Sequence, residues 1–173
     1  VSPSETERLA REAIELLIAA GRTVAVAESL TGGLVAAALT SVPGSSAAFR
    51  GGVVAYATEL KIALLGVPAE LLARHGPVHA EVAAAMASGV RERLSASFGL
   101  ATTGVAGPGP ADGHPAGTVF VSVAADESHR PPPDGLSMTT YGLRLAGDRY
   151  QVRAETVRNV LSVLVGALRE DQN

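Results

Sequence analysis

Short apolar, β-branched runs alternate with helix-period segments along this chain, and that alternation is the feature that most constrains its fold. "TVAVAE" (23–28) is a strand-like run, and "TGGLVAAALTSV" (31–42) then runs helically from Thr31, a candidate N-cap, toward Pro43. The unit is strand, tight turn, helix. "GGVVAYA" (51–57) is the next strand candidate. It is followed by short helices in "TELKIALLG", with Thr58 as cap and Gly66 as stop, and in "PAELLARHG", with Pro68 at its first position. Val82, Met86, Val90 and Leu94 then share one face of a longer helix. "GLATTGVAG", "GTVFVSVAA" and "LSMTTYGL" are further strand candidates.

Helices bracket the series. Ser4 and Glu7 form a capping box ahead of Leu9, Ala13, Leu16 and Leu17, and Gly21 ends that helix. Asp148 and Gln151 have capping spacing ahead of the apolar stripe Val157, Val160, Leu161, Leu164, Val165 and Leu168. Neither a repeat nor an internal linker interrupts the mixture. The expectation is one domain over 1–173, a three-layer α/β/α fold with a mostly parallel, partly mixed sheet.

Composition narrows the partners. The chain is 47% hydrophobic and only 3% aromatic, so the core is expected to use small aliphatic side chains. A net charge of −3 with scattered cations lacks the footprint of a nucleic-acid binder. The uncharged stretch 29–49 is broken by Gly32, Gly33, Pro43 and Gly44, which argues against a membrane span, and "VSPSETERLA" does not resemble a secretory signal. A cytoplasmic protein acting on a small molecule, or on another copy of itself, is the expectation. The absence of cysteine removes thiolate ligands and cysteine nucleophiles.

In open α/β sheets ligands gather beyond the carboxyl ends of the strands. "ESLTGG", "AYATELK" and "TTGVAGPGP" are expected to converge there, and "VPGSSAAF", entering the second strand, adds Ser45 and Ser46. Ser29 and Thr31 cap the following helix or bind an anion at its N-terminus, with Gly32 and Gly33 allowing close approach. Neither a dinucleotide fingerprint nor a Walker pattern occurs in "GPGPADG", which is a candidate functional loop, whereas "ESHRPPPDG" has the composition of a surface connection. His75 and His79 straddle Gly76 and Pro77, which break the helix that would align them, so no metal site is expected from them. Glu28 is expected to hydrogen-bond neighbouring backbone.

Lys61 is the single lysine among fourteen cationic residues. A serine hydroxyl becomes a good nucleophile only when a base removes its proton, and a lysine serves only if its pKa falls from about 10.4 toward roughly 7 to 8. Arginine, protonated throughout, cannot substitute. Codon bias accounts equally well for one lysine in an arginine-rich chain. Spacing alone leaves Ser29, Ser45 and Ser46 open as its serine partner.

"AVAESLTGGLVAAALTSVPGSSAAFRGGVVAYATELKIALLGV", "GPVHAEVAAAMASGV", "TTGVAGP", "PAGTVFV" and "GDRYQVRAETV" resemble, in order, the CinA C-terminal domain family of nicotinamide-nucleotide amidases. The likeness covers about Thr23 to Leu168, without the family's amino-terminal molybdopterin-type domain, and so looks like the standalone form. It implies hydrolysis of nicotinamide mononucleotide to nicotinate mononucleotide and ammonia, with neither cofactor nor metal, by a self-associating α/β/α protein, at least a homodimer. It also implies Ser46 as nucleophile, Lys61 as its base and Tyr56 as orienting or proton-relaying group. Ser29, Thr31, Gly32 and Ser45 would belong to the pocket, Thr103, Gly104 and Ala106 to the substrate loop, and Arg149 to the phosphate. Two departures stand out: His114 where the family's loop carries lysine, and His79 in place of a small hydroxyl residue. They motivate the alternative of a weakly active or inactive binding or scaffold domain.

Overall fold

A computed structural model describes residues 4–126 and 137–171. The strands are β1 (Val24–Glu28), β2 (Phe49–Val54), β3 (Phe98–Gly104), β4 (Thr118–Ala125) and β5 (Ser137–Arg144). The helices are α1 (Glu5–Ala19), α2 (Leu34–Thr40), α3 (Thr58–Leu65), α4 (Ala69–His75), α5 (Ala80–Arg93) and α6 (Arg149–Asp171). The expected connection "ESHRPPPDG" and His129 lie outside the described residues.

One five-stranded sheet runs in the order β2-β1-β3-β4-β5. β1 pairs parallel with β2 and β3, whereas β3–β4 and β4–β5 are antiparallel. The sheet is therefore mixed as expected, with parallel pairing confined to the half that follows helical crossovers. Alternation along each strand divides the core between two faces. Val24 and Val26 of β1 join Phe98 and Leu100 of β3 against α1, α2 and α6. Ala25, Ala27 and Ala101 face α5 and the apolar residues of α3 and α4.

The α5 face is lined with small residues because the backbones nearly touch. A Cβ at Gly99 would lie 2.0 Å from the Ala87 carbonyl oxygen, and one at Gly89 of α5 would lie 1.9 Å from that of Leu65. The second contact seats α3, the helix that carries Lys61, directly against α5.

The caps match the sequence at both ends of the chain. Ser4 Oγ accepts from Glu7 N while Glu7 returns a bond to Ser4 N. Asp148 and Gln151 exchange the equivalent pair at α6, at 2.8 and 2.9 Å. The entry to α2 differs from the expected Thr31 cap. Helical residues begin at Leu34, after Gly33 at φ 103°. Glu28, at the end of β1, reaches over the turn, its carboxylate accepting from Gly33 N, Val35 N and Ala36 N at 2.8–3.1 Å. Being 1% exposed, it supplies from the preceding strand the cap that a hydroxyl otherwise provides.

Candidate active site

The carboxyl ends of β1, β2 and β3 lie side by side, with Glu28 opposite both Val54 and Thr102. The chain leaves each strand into a loop that contributes to one cleft of about 270 Å³. Ser29 and Leu30 follow β1, while Tyr56, Thr58 and Lys61 follow β2. Thr103, Gly104 and Ala106 come from the end of β3 and its loop, and Arg149 from the start of α6.

Lys61 is the centre of this cleft. It is 1% exposed, and its Nζ donates to Ser29 Oγ at 3.1 Å, to the Ala55 carbonyl at 2.7 Å and, more loosely, to the Tyr56 carbonyl at 3.5 Å. Burial pushes its pKa below the usual lysine value, while the charges of Asp112 and Glu59 oppose that shift. An ammonium has three donors and no acceptor, but a neutral amine has two donors and a lone pair. In the neutral state the two carbonyls can take the N–H groups, and the lone pair is left for the Ser29 hydroxyl.

Ser29 is held from several directions. Its N–H donates to Thr102 O at 3.1 Å, tying the turn to β3. Arg153 of α6 braces the following residues, donating through Nε to Leu30 O at 3.0 Å and through Nη2 to Thr31 O at 3.1 Å. Gly32 sits there at φ 60°, a left-handed conformation in which a Cβ would lie 3.3 Å from the Arg153 guanidinium.

At the cleft's mouth Tyr56 is 58% exposed, and its hydroxyl accepts from Arg149 Nη2 at 2.9 Å. Arg149 Nη1 donates to Gly107 O at 2.8 Å. These bonds fix the guanidinium while leaving further N–H groups for an anion. Thr103 donates its hydroxyl to Pro77 O at 2.7 Å, and Pro77 and Val78 complete that wall.

Other expected site residues stand elsewhere. Ser45 and Ser46 form a 3₁₀ turn (Ser45–Ala47) ahead of β2, and Ser46 is exposed. Because β2 runs parallel to β1, that turn lies at the amino end of the sheet, whereas Lys61 follows the carboxyl end. The six residues of β2 put about 20 Å between the two ends. Within the chain Ser46 is therefore not the partner of Lys61; Ser29 is. Thr31 is fully buried, bonded to Thr102 Oγ1 at 2.8 Å, and neither it nor Gly32 lines the cleft. The N-terminus of α2, expected to be available to an anion, is occupied by Glu28. His114 closes a bridge with Ala111 and also stands outside the lining, so the family departure at that position does not reach the cleft wall.

Asp112, Pro77 and Val78 line the cleft without having been named as site residues, and Thr58, expected as the cap of its helix, is instead the first helical residue of α3, with Ala57 at the cap position, and also lines the cleft. Asp112 had a signal, since it lies in the Gly/Pro-rich loop already marked as functional. Pro77 and Val78 had none, because their role depends on the link after α4 reaching the end of β3.

Comparison with known proteins agrees with this architecture. The family model for the CinA C-terminal domain matches residues 6–168. A CinA-like protein of Frankia casuarinae is 52% identical over 149 residues, 86% of this chain and 32% of that protein. A CinA-like protein of Myxococcus xanthus is 43% identical over 163 residues, 92% of this chain and 36% of that protein. The chain thus spans about a third of the length of the curated relatives it matches. The solved competence/damage inducible protein CihA from Agrobacterium tumefaciens superposes with a TM-score of 0.86 at 37% identity, covering 98% of both chains. A CinA superfamily protein from Klebsiella pneumoniae gives 0.86 at 34% identity, covering 95% of this chain and 98% of that one. The chain belongs to the CinA C-terminal domain family.

Proposed function

We propose that this domain is an amidohydrolase that converts nicotinamide mononucleotide to nicotinate mononucleotide and ammonia, with Ser29 as nucleophile and Lys61 as its base. The observation that carries this reading is the 3.1 Å contact between Lys61 Nζ and Ser29 Oγ around a lysine that is 1% exposed. Family membership supports the reaction class, and the position of Arg149 at the mouth suits a substrate with a phosphate at one end.

The chemistry follows from the hydrogen bonds. Neutral Lys61 takes the Ser29 hydroxyl proton as Oγ bonds to the carboxamide carbon, and the carbonyl electron pair moves to oxygen. Collapse of that intermediate breaks the C–N bond, and the Lys61 ammonium returns its proton to the leaving nitrogen, releasing ammonia. Water then attacks the acyl ester with Lys61 again accepting a proton, the C–Oγ bond breaks, and Ser29 regains its hydrogen. The aromatic carboxamide enters the cleft, while the phosphate stays at the rim with Arg149 and the Tyr56 hydroxyl.

The test is product analysis. Purified protein incubated with nicotinamide mononucleotide should release ammonia and nicotinate mononucleotide in equal amounts. Saturable binding of the nucleotide without turnover would instead establish a binding domain.

A further inference from the structure

The link between α4 and α5 gathers three side chains that the proposed reaction does not use. His75 is the last residue of α4, and Gly76, at φ 71°, reverses the chain so that His79 becomes the N-cap of α5. The helix break that was expected to separate the imidazoles instead folds them together. Their rings stack with centroids 4.0 Å apart and planes 9° from parallel. Glu81, in the first turn of α5, brings a carboxylate oxygen 4.0 Å from His75 Nε2. One ligand atom from each of the three lies within 4.8 Å of the others.

We propose that His75, His79 and Glu81 form a binding site for a divalent transition metal of the zinc type. Two imidazole nitrogens and one carboxylate oxygen are the donor set of an open zinc site, whose fourth position takes water. Ligand atoms about 2.0–2.1 Å from one tetrahedral ion are about 3.3 Å from each other, so the three groups must draw inward by roughly an ångström or more. Glu81 is exposed and both imidazoles are half-buried, which leaves room for those rotations. His79 Nδ1 accepts from Glu81 N at 3.2 Å, so its ring nitrogens are already differentiated, and ligation replaces or redirects this cap.

The site lies behind the cleft and outside its lining. Pro77 and Val78, between the two histidines, form part of the cleft wall, and Pro77 O is the acceptor for Thr103. An ion here cross-links α4 to α5 and fixes that wall from outside, away from Ser29 and Lys61. The proposal does not depend on the amidase reading.

Zinc titration in competition with a chromophoric chelator, and cobalt titration followed by visible absorption, test it directly on the full chain. The expected result is one equivalent bound, with affinity weakened at least about tenfold in His75→Gln and in His79→Asn. Asparagine retains an N-capping side chain, and far-UV circular dichroism checks that both variants keep the fold. His114→Gln should bind like the parent. Zinc should also raise the melting temperature of the parent but not that of the double variant H75Q/H79N. Unchanged affinity in the folded double variant, no stoichiometric binding by the parent, or an equal loss in His114→Gln would each overturn the assignment.

Discussion

Lys61 Nζ and Ser29 Oγ meet at 3.1 Å although they come from different strand–loop units, and the lysine is sealed from solvent. Substitution of Ser29 should therefore separate the two candidate nucleophiles. Ser29→Ala is expected to lower kcat for nicotinamide mononucleotide by about 10³-fold or more, the scale of losing an activated serine, whereas Ser46→Ala stays within roughly threefold of the parent. Ammonia release under saturating substrate gives both values.

As the proposed base, Lys61 would act only when neutral, so kcat should rise with pH through a midpoint below the usual lysine value of about 10.4. Lys61→Arg should be inactive across that range. Stability carries the same signature. A lysine whose folded pKa is depressed loses a proton on folding, so the parent gains stability as pH rises from the folded toward the unfolded pKa. Lys61→Met has no such dependence, and its stability relative to the parent should fall across that window. Denaturant midpoints measured at several pH values would show it.

Arg149 is expected to act on binding more than on chemistry. Arg149→Gln should raise KM for the nucleotide about tenfold or more, with a smaller change in kcat, since a charge-assisted bond to phosphate contributes on the order of 1.5–3 kcal/mol. The effect should shrink at high salt and should be absent with free nicotinamide, which carries no phosphate. Steady-state kinetics with the two substrates separates these cases.

The α3–α5 crossing provides a structural control. A Cβ at Gly89 would lie 1.9 Å from Leu65 O, so Gly89→Ala must push α3 outward. We expect a loss of about 1–3 kcal/mol by denaturant titration, together with reduced kcat, because Lys61 rides on the displaced helix. A variant with parent-like stability and turnover would show that α3 is not held by this contact.

Much of the fold was legible because its signals were local. The capping residues Ser4 and Glu7, and Asp148 and Gln151, sit where the sequence puts them, and the β1–turn–α2 unit follows from one apolar run and two glycines. Lys61 stood out by composition. Its partner did not, yet a signal for it existed. In parallel strands, residues that follow the strand share one end of the sheet and residues that precede it share the other, which puts Ser46 opposite the ends occupied by Ser29, Lys61 and Thr103. Glu28 bonds to neighbouring backbone as expected, but its placement over the start of α2 and the stacking of His75 on His79 were harder to read. Both depend on the chain doubling back, through Gly33 in one case and Gly76 in the other, and periodicity carries no information about the direction of such a turn.

Arg153 reaches from α6 to the carbonyls of Leu30 and Thr31, and Arg149, four positions earlier, reaches Tyr56 and Gly107. The order of synthesis gives these bonds a meaning in time. Ser29 and Lys61 are synthesised more than eighty residues before either arginine, so a growing chain carries both residues well before it can brace the turn or complete the mouth of the cleft. Assembly of the cleft thus waits for the docking of α6, and its mouth takes shape only after the segments that carry Ser29 and Lys61 have been made.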